Sequence, residues 1–361
     1  MSIDPLSLRI GFLAGTLGRG GAERQLVYML QALKNEGVKS RVLCLTKGEA
    51  FEKDIMDLGV NIDWVGSSSN NLVRLMNIIG NIRRNPVDLI QSAHFYTNIY
   101  VALAGLALGV ASVGAIRSDV TNELSTNRTF GRWHLNLPKH LIANSQLAVD
   151  RAVSKGVDKS RVHHVKNAVA DGNNRSPFDD KMGVNLLFAG RLDPPKRPEL
   201  FIDMAAALRE LHPKLKLRFL IAGDGPLRPL LENMVKERKF RNDELSFLGE
   251  QSNMSEIYER SDILVLTSQR EGTPNVVLEA MANGLAVVAT RVGGVSDLLA
   301  EGRGLLVQSG DLEGLVLASK LLIVDKALRK HLGDAGKKYI GEHHSLGGLQ
   351  ARLMEIYEKL A

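Results

Sequence analysis

The chain is poor in cysteine: among its 361 residues only Cys44 occurs. A disulfide framework is therefore excluded, and a reducing cytoplasm is the natural compartment. Cys44 falls in the strand-like run Ser40–Leu45 and reads as a small core residue. Long apolar runs are lacking too. The longest, Ile99–Val113, is broken by Gly105, Gly109 and Ser112 and is shorter than the roughly 20 residues that span a bilayer. Met1–Pro5 is short and polar, and the first apolar run has only a strand's length, so no signal peptide is expected. Aromatic residues make up 5% of the chain. With neither an aromatic platform nor a dense basic run, nucleic acid is disfavoured as a partner. No glycine cluster ends in Gly-Lys-Ser/Thr, which removes a Walker-type phosphate loop. What is present is ordinary globular composition, 44% hydrophobic and 24% charged, in a chain long enough for two domains.

Charge is unevenly spread. Residues 1–170 hold 20 Lys/Arg against 13 Asp/Glu, and residues 171–361 hold 26 against 27. The positive excess thus belongs to the first half and bears on its partner.

Short apolar, β-branched runs alternate with helical patterns. Leu8–Leu13, Arg41–Leu45, Ile62–Val65, Asp88–Gln91, Ala115–Ile116 and His140–Ala143 read as strands. A second series comprises Val184–Ala189, Leu217–Ala222, Leu245–Leu248, Ile263–Thr267, Ala286–Ala289 and Gly304–Val307. Between the two series, residues 171–182 are polar and rich in turn formers, the signature of a linker. The fold class is α/β, with two doubly wound Rossmann-like domains facing across a cleft: residues 1–170 and 183–344. The first strand runs into Gly15–Glu23, a glycine loop ahead of a helix from Ala22 to about Asn35. Gly20 and Gly21 there offer a backbone cradle for phosphate. Glu23 stands where a dinucleotide fingerprint would have its third glycine.

One stretch concentrates the chemistry: Gln269-Arg270-Glu271-Gly272-Thr273-Pro274-Asn275-Val276-Val277-Leu278-Glu279-Ala280-Met281. A buried strand precedes it, and apolar residues at helical spacing follow until Gly284. Thr273 is expected to cap the helix, with Pro274 at the first helical position. The N–H groups of Asn275, Val276 and Val277 would then face an anion above the strand's carboxyl end. Glu271 and Glu279 flank that site. A carboxylate tolerates a neighbouring diphosphate only if it accepts hydrogen bonds from neutral hydroxyls, which suggests a nucleotide-sugar. Taken alone, the plainer reading, a solvated loop Glu271 and an ordinary helix Glu279, would win.

Four ordered motifs resemble the retaining glycosyltransferases of family 4, with the GT-B fold. They are Gly190-Arg191-Leu192-Asp193-Pro194-Pro195-Lys196, Ile221-Ala222-Gly223-Asp224-Gly225-Pro226, the Glu271–Glu279 stretch, and Thr290-Arg291-Val292-Gly293-Gly294. The resemblance implies that Arg191 and Lys196 clamp the diphosphate and that Glu271 grips the transferred sugar. Backbone groups of Gly272, Thr273, Pro274, Asn275 and Val276 would assist Glu271. It also implies that Glu279 holds the ribose, that Gly223, Gly225 and Gln251 lie near the base, and that Gly20 and Gly21 close over the diphosphate. His94, at the tip of a strand, would position the sugar, and Arg117 and Asp119 would line the acceptor side. The terminal helix Leu346–Leu360 would cross back onto the first domain. Asn167-Ala168-Val169-Ala170 departs from the family's Asn-Gly-Val-Asp, and Asp297 stands where Glu is commoner.

No Asp-x-Asp triplet occurs, so cationic side chains and a helix terminus are expected to neutralise the leaving group, with no metal or other cofactor. His163-His164 and His343-His344 have diverging side chains if each lies in regular structure, and no partner ligands at useful spacing. The reading is thus a metal-independent hexosyltransferase using a UDP-sugar, with uracil favoured over guanine and glucose or N-acetylglucosamine as donor sugar. Its partners are the nucleotide-sugar and a glycan or lipid-linked acceptor of surface polysaccharide synthesis. Basic and apolar residues mixed in Leu72–Arg84 and Asn127–Leu135 add a peripheral contact with an anionic membrane, at the inner face. A nucleotide-sugar epimerase and a non-catalytic sugar-nucleotide-binding partner are the alternatives.

Overall fold

A computed structural model describes residues 8–117, 120, 123–124, 131–172, 183–251 and 253–360. The chain divides into two compact units, Met1–Ala168 with Ser345–Ala361, and Val169–His344. Most of the expected linker, residues 173–182, lies outside the described residues.

In the first unit the strands are β1 (Arg9–Ala14), β2 (Lys39–Cys44), β3 (Asn61–Trp64), β4 (Leu89–Ser92), β5 (Ala111–Ile116), β6 (His140–Ala143) and β7 (Val162–His164). They form one parallel sheet in the order β3-β2-β1-β4-β5-β6-β7. The helices are α1 (Gly21–Asn35), α2 (Glu52–Asp57), α3 (Asn71–Arg84), α4 (Asn98–Leu108), α5 (Gly131–Asn136) and α6 (Gln146–Ser154). Two expectations need correction. Gly109, at φ 70°, ends α4, and β5 begins at Ala111, four residues before the expected start. Strand β7 was missed because only Val162 of its three residues is buried. It brings His163 Nε2 to 3.2 Å from Nδ1 of His140 on the adjacent strand, so the divergence expected within His163-His164 hid a pairing across the sheet.

The second unit contains β8 (Val184–Ala189), β9 (Leu217–Ala222), β10 (Leu245–Gly249), β11 (Ile263–Leu266), β12 (Ala286–Thr290) and β13 (Leu305–Val307), parallel and ordered β10-β9-β8-β11-β12-β13. Its helices are α7 (Pro198–Leu211), α8 (Arg228–Glu237), α9 (Ser255–Glu259), α10 (Asn275–Ala282), α11 (Val295–Leu298), α12 (Leu312–Val324) and α13 (Lys326–His343). Every residue of β11 and β12 is buried, as a strand covered by helices on both faces requires. Phe188, Phe201 and Phe219 meet ring to ring, with centroids 5.8 and 6.2 Å apart. Each buried phenyl contributes about 1.5–3 kcal/mol.

The last helix, α14 (Leu346–Leu360), belongs to the first unit. Leu349, Leu353, Ile356 and Tyr357 join the cluster formed by Leu26, Leu30 and Leu33 of α1. The Tyr357 hydroxyl donates to Gln91 Oε1 at 2.5 Å, which fixes the helix against β4. Both sheets reverse their winding once, between β1 and β4 and between β8 and β11. Crevices for ligands open at the carboxyl ends of the strands at such reversals.

Candidate active site

In the second unit the reversal places two loops side by side, one after β8 and one after β11. The first carries Arg191 and Lys196, the second Ser268 and Glu271. Pro194, Pro195 and Lys196 form a single tight turn. Thr267 braces it, its hydroxyl lying 2.8 Å from the Lys196 carbonyl and 2.9 Å from that of Arg197, while Gln269 N–H donates to Pro195 O at 2.8 Å. So held, Lys196 Nζ donates to Glu271 Oε1 at 2.6 Å, and Ser268 Oγ donates to the same oxygen at 2.6 Å. The Glu271 side chain is only 9% exposed and that of Lys196 27%. Arg191 is different: its side chain is 73% exposed, and its nearest carboxylate is Asp193, 3.8 Å away. One cation is thus committed to Glu271 while the other is free to reach outward.

The pair resolves an electrostatic difficulty. A bare carboxylate would repel any anion brought to this edge of the sheet, whereas Lys196 cancels that charge without leaving the site. The turn after β12 presses on the same loop, with Gly294 N–H donating to Gly272 O at 2.8 Å.

Helix α10 starts one residue later than expected. Pro274 is the cap position and Asn275 the first helical residue, so Thr273 stands one residue before the cap position expected of it. Pro274 O accepts from Val277 N–H at 3.1 Å, so Val277 does not offer its amide to a ligand. The extended backbone of Pro274, locked by its ring, supplies the turn that a capping hydroxyl would otherwise stabilise. Val276, in the first turn, keeps its N–H at the helix's positive end.

Nearly one turn beyond Val276, Glu279 is half-buried, and its Oε2 accepts from the Tyr258 hydroxyl at 2.7 Å. Tyr258 is 2% exposed and reaches from α9. Sequence reading missed it, because a tyrosine in Ser255–Glu259 looks like any core aromatic. Tyr258→Phe keeps the ring's packing and is expected to weaken UDP binding roughly three- to tenfold, the worth of one hydrogen bond. Calorimetric titration with UDP checks this, and an unchanged affinity would detach Tyr258 from the site.

Gly223 and Gly225 lie on the loop after β9, which is stitched to its neighbours: Gly190 N–H donates to Ala222 O, Leu192 N–H to Asp224 O and Gly223 N–H to Gly249 O, at 2.8–3.0 Å. Gly223 sits at φ 140°, and a Cβ there would come within 1.9 Å of Gly190 O. The glycine is required for two loops to touch. Gln251 turns its amide back onto Leu248 O.

The first unit gathers His94, Glu23, Thr16 and Gly15 beside the β1–β4 reversal. Gly15 N–H donates to His94 Nδ1 at 3.2 Å, so the ring proton sits on Nε2, 3.1 Å from Glu23 Oε1. Thr16 Oγ1 donates to that oxygen at 2.6 Å. Burial acts to raise the Glu23 carboxyl, but the hydrogen bonds from His94 and Thr16 outweigh it and leave it below the usual range. Both ring nitrogens of His94 are engaged, which suits a positioning group better than a proton acceptor. Gly20 is the residue before α1, and Gly21 its first. Glu23, read from sequence only as a missing glycine, is the buried anchor of this cluster. Arg117, expected on the acceptor side, directly follows β5 and is half-buried. Its Nη2 lies 3.4 Å from Met29 Sδ, its Nε and Nη1 are buried without partners, and burial pushes the guanidinium down to about 10. Asp119 lies outside the described residues.

Among the described residues no cluster of three or more His, Cys, Asp or Glu could hold a metal ion, and no helix is long and apolar enough to cross a membrane.

Comparison with known proteins agrees with this geometry. The family model "Glycosyltransferase Family 4" matches residues 19–171 and "Glycosyl transferases group 1" matches residues 173–339. N-acetyl-alpha-D-glucosaminyl L-malate synthase of Bacillus anthracis is 30% identical over 156 residues, 43% of this chain and 41% of that protein. A Campylobacter jejuni alpha-1,4-N-acetyl-D-galactosaminyltransferase, named for a diNAcBac-PP-undecaprenol-linked GalNAc acceptor, is 28% identical over 348 residues, 92% of this chain and 93% of that one. Among solved structures, Anabaena HepE in complex with UDP and glucose superposes with a TM-score of 0.86 at 18% identity, covering 98% of this chain and all of that one. The S. aureus TarM structure with UDP gives 0.81 at 12% identity, covering 97% and 99%. With both halves matched in order on a doubly wound, two-unit GT-B fold, the chain belongs to glycosyltransferase family 4.

Proposed function

We propose that the protein transfers a hexose from a UDP-sugar, with retention of configuration and without a metal, to a glycan or lipid-linked acceptor of surface polysaccharide synthesis. Glucose and N-acetylglucosamine are the favoured sugars. The observation that carries this reading is the Lys196–Glu271 pair beside the amino end of α10, with Glu279 further along the helix. In it Glu271 accepts from sugar hydroxyls, Lys196 and Arg191 meet the diphosphate, and Glu279, oriented by Tyr258, accepts from the ribose diol. Arg191 forks onto one phosphate as Lys196 acts as a point charge on the other. The first-turn amide of Val276 adds to the charge that develops as the diphosphate departs. Glycine loops at Gly20–Gly21 and Gly223–Gly225 let backbone approach the nucleotide closely. His94 holds the sugar through its fixed ring, and Asp119 is retained as an acceptor-side group. Support for the donor comes from HepE, described in complex with UDP-glucose. The Campylobacter relative's name supports a lipid-diphosphate glycan as acceptor class.

A thermal-shift panel of UDP-, GDP- and ADP-sugars, with and without EDTA, tests the reading. A UDP-hexose at about a hundred times its dissociation constant should stabilise the fold by about 2.7 kcal/mol, unchanged by chelation. A larger response to a GDP-sugar, or loss of the response in EDTA, would overturn the donor or the metal independence respectively. Conversion of the sugar nucleotide without any acceptor would make it an epimerase.

A further inference from the structure

Helices α3 and α4 cover one face of the first sheet. Their inner residues Ile78, Ile79, Ile82, Val101 and Ala104 share one apolar cluster with Leu13, Leu43 and Ile90, and the Tyr100 hydroxyl of α4 ties to Asn71 Oδ1 of α3 at 2.7 Å. Their outer side is unusual. Leu72 is 66% exposed, Met76 58% and Leu106 78%, and Val73 is exposed beside them. Along α3 the outward stripe continues from Leu72 and Met76 past Gly80 to Arg83 and Arg84, both exposed. Arg74, half-buried, bends its Nε back to Ser68 O at 2.6 Å.

Neither helix carries an acidic residue. Between Asp63 and Asp119 the chain has a single acidic residue, Asp88, and it is bound to Arg9 Nη2 at 2.6 Å on β1. Apolar side chains that water should not touch thus lie on the same helices as Arg83 and Arg84, which have no carboxylate partner among the described residues. A second copy packed about a two-fold axis would set Arg83 and Arg84 among like charges. An anionic phospholipid surface answers both features, since the acyl boundary takes Leu72, Val73, Met76 and Leu106 and the headgroups take the arginines. Because helices between parallel strands start at the strands' carboxyl ends, the apolar start of α3 lies at the same edge of the unit as Gly15 and His94.

We infer that the outer face of α3 and α4 is a docking surface for an anionic bilayer, which brings the first unit's site to the headgroup level. The inference deepens the proposed function, resting on it only for the lipid-linked acceptor. Its test does not use the transfer reaction. Full-length protein is floated with neutral phosphatidylcholine vesicles and with vesicles enriched in phosphatidylglycerol, at low and high salt. Wild type should float only with the anionic vesicles and be released by salt. Since each basic side chain near such a surface is worth roughly fivefold, Arg83→Glu with Arg84→Glu should reduce partitioning at least tenfold. Leu72→Ser with Met76→Ser should do likewise, and both variants should keep wild-type melting and UDP response. Equal binding to neutral vesicles, wild-type partitioning of either variant, or a wild-type dimer in light scattering that these variants dissolve would overturn the inference. Loss of the donor reading would appear instead in the nucleotide-sugar panel, with flotation unaffected.

Discussion

Lys196→Ala is expected to lower kcat/KM about a hundredfold and to weaken UDP-sugar binding. The lysine stands in two charge-assisted hydrogen bonds, one seen to Glu271 at 2.6 Å and one proposed to the diphosphate. Each is worth about 1.5–3 kcal/mol, and tenfold in rate is about 1.4 kcal/mol, so losing part of both gives two decades. Removal also strands a carboxylate that is 9% exposed, with Ser268 as its remaining donor. Breaking a buried pair costs up to about 3–5 kcal/mol, and the partial exposure of Lys196 puts this pair at the lower end. Melting temperature should therefore fall as well.

Glu271→Gln makes the sign of the idea visible. The amide keeps the shape and can still accept from Ser268, but it removes the negative charge nearest the diphosphate. Binding of UDP should hold or improve while kcat falls, because the sugar loses its strongest acceptor. The double variant should recover part of the stability lost in Lys196→Ala, as members of one network are not additive. Isothermal titration with UDP, donor kinetics and melting curves decide it. If Lys196→Ala binds UDP-sugar like wild type, the cation is structural and the proposed clamp fails.

The strands of the second unit were legible because apolar residues dominate them, with a single polar residue in each of the two that follow. Val184–Ala189 and Leu217–Ala222 run as expected to the residue. Legibility failed where a boundary depends on one backbone angle inside a uniform composition. The start of β5 at Ala111, four residues before Ala115, went unread because it follows Gly109 directly within the apolar run Ile99–Val113. It failed again at Thr273, where side-chain chemistry favours a cap and the fixed ring of Pro274 supplies the turn instead.

In the site, the resemblance to family 4 marked Glu271, Glu279, Lys196 and Arg191 as candidates. Their mutual relations were not legible, because these depend on distances between loops far apart in sequence. Lys196 and Glu271 are separated by 75 positions, and nothing local says that they bond to one another before any ligand arrives. Tyr258 and Glu23 escaped for a related reason: an aromatic in a short helix and an acid in a glycine loop acquire meaning only from what they touch. Arg117 shows the converse. A cation after a strand reads as a ligand group, and nothing local says that its guanidinium meets Met29 Sδ, 88 positions away.

Gly293→Ala is expected to cut turnover at least tenfold while leaving UDP affinity nearly intact. Gly293 lies at φ 51°, and a Cβ there would sit 2.0 Å from the Glu271 carbonyl oxygen and 2.8 Å from that of Gly272. Both neighbours are backbone, so no side chain can swing aside to make room. The left-handed angle alone costs alanine about 1 kcal/mol; the clash matters more, since it must displace the loop carrying Glu271. Overpacking of this kind costs about 1–3 kcal/mol, and a shift near 1 Å in a positioning group can cost two decades in rate. Glu279 and Tyr258 stand on α10 and α9, outside the displaced segment, so the nucleotide end should persist. The discriminating measurement is therefore the split: kcat for sugar transfer falls, the Kd for UDP moves less than about threefold, and the hydrogen bond from Gly294 N–H to Gly272 O loses exchange protection. A variant with unchanged kcat would show that the loop yields without moving Glu271, and that the turn after β12 does not set the sugar end of the site.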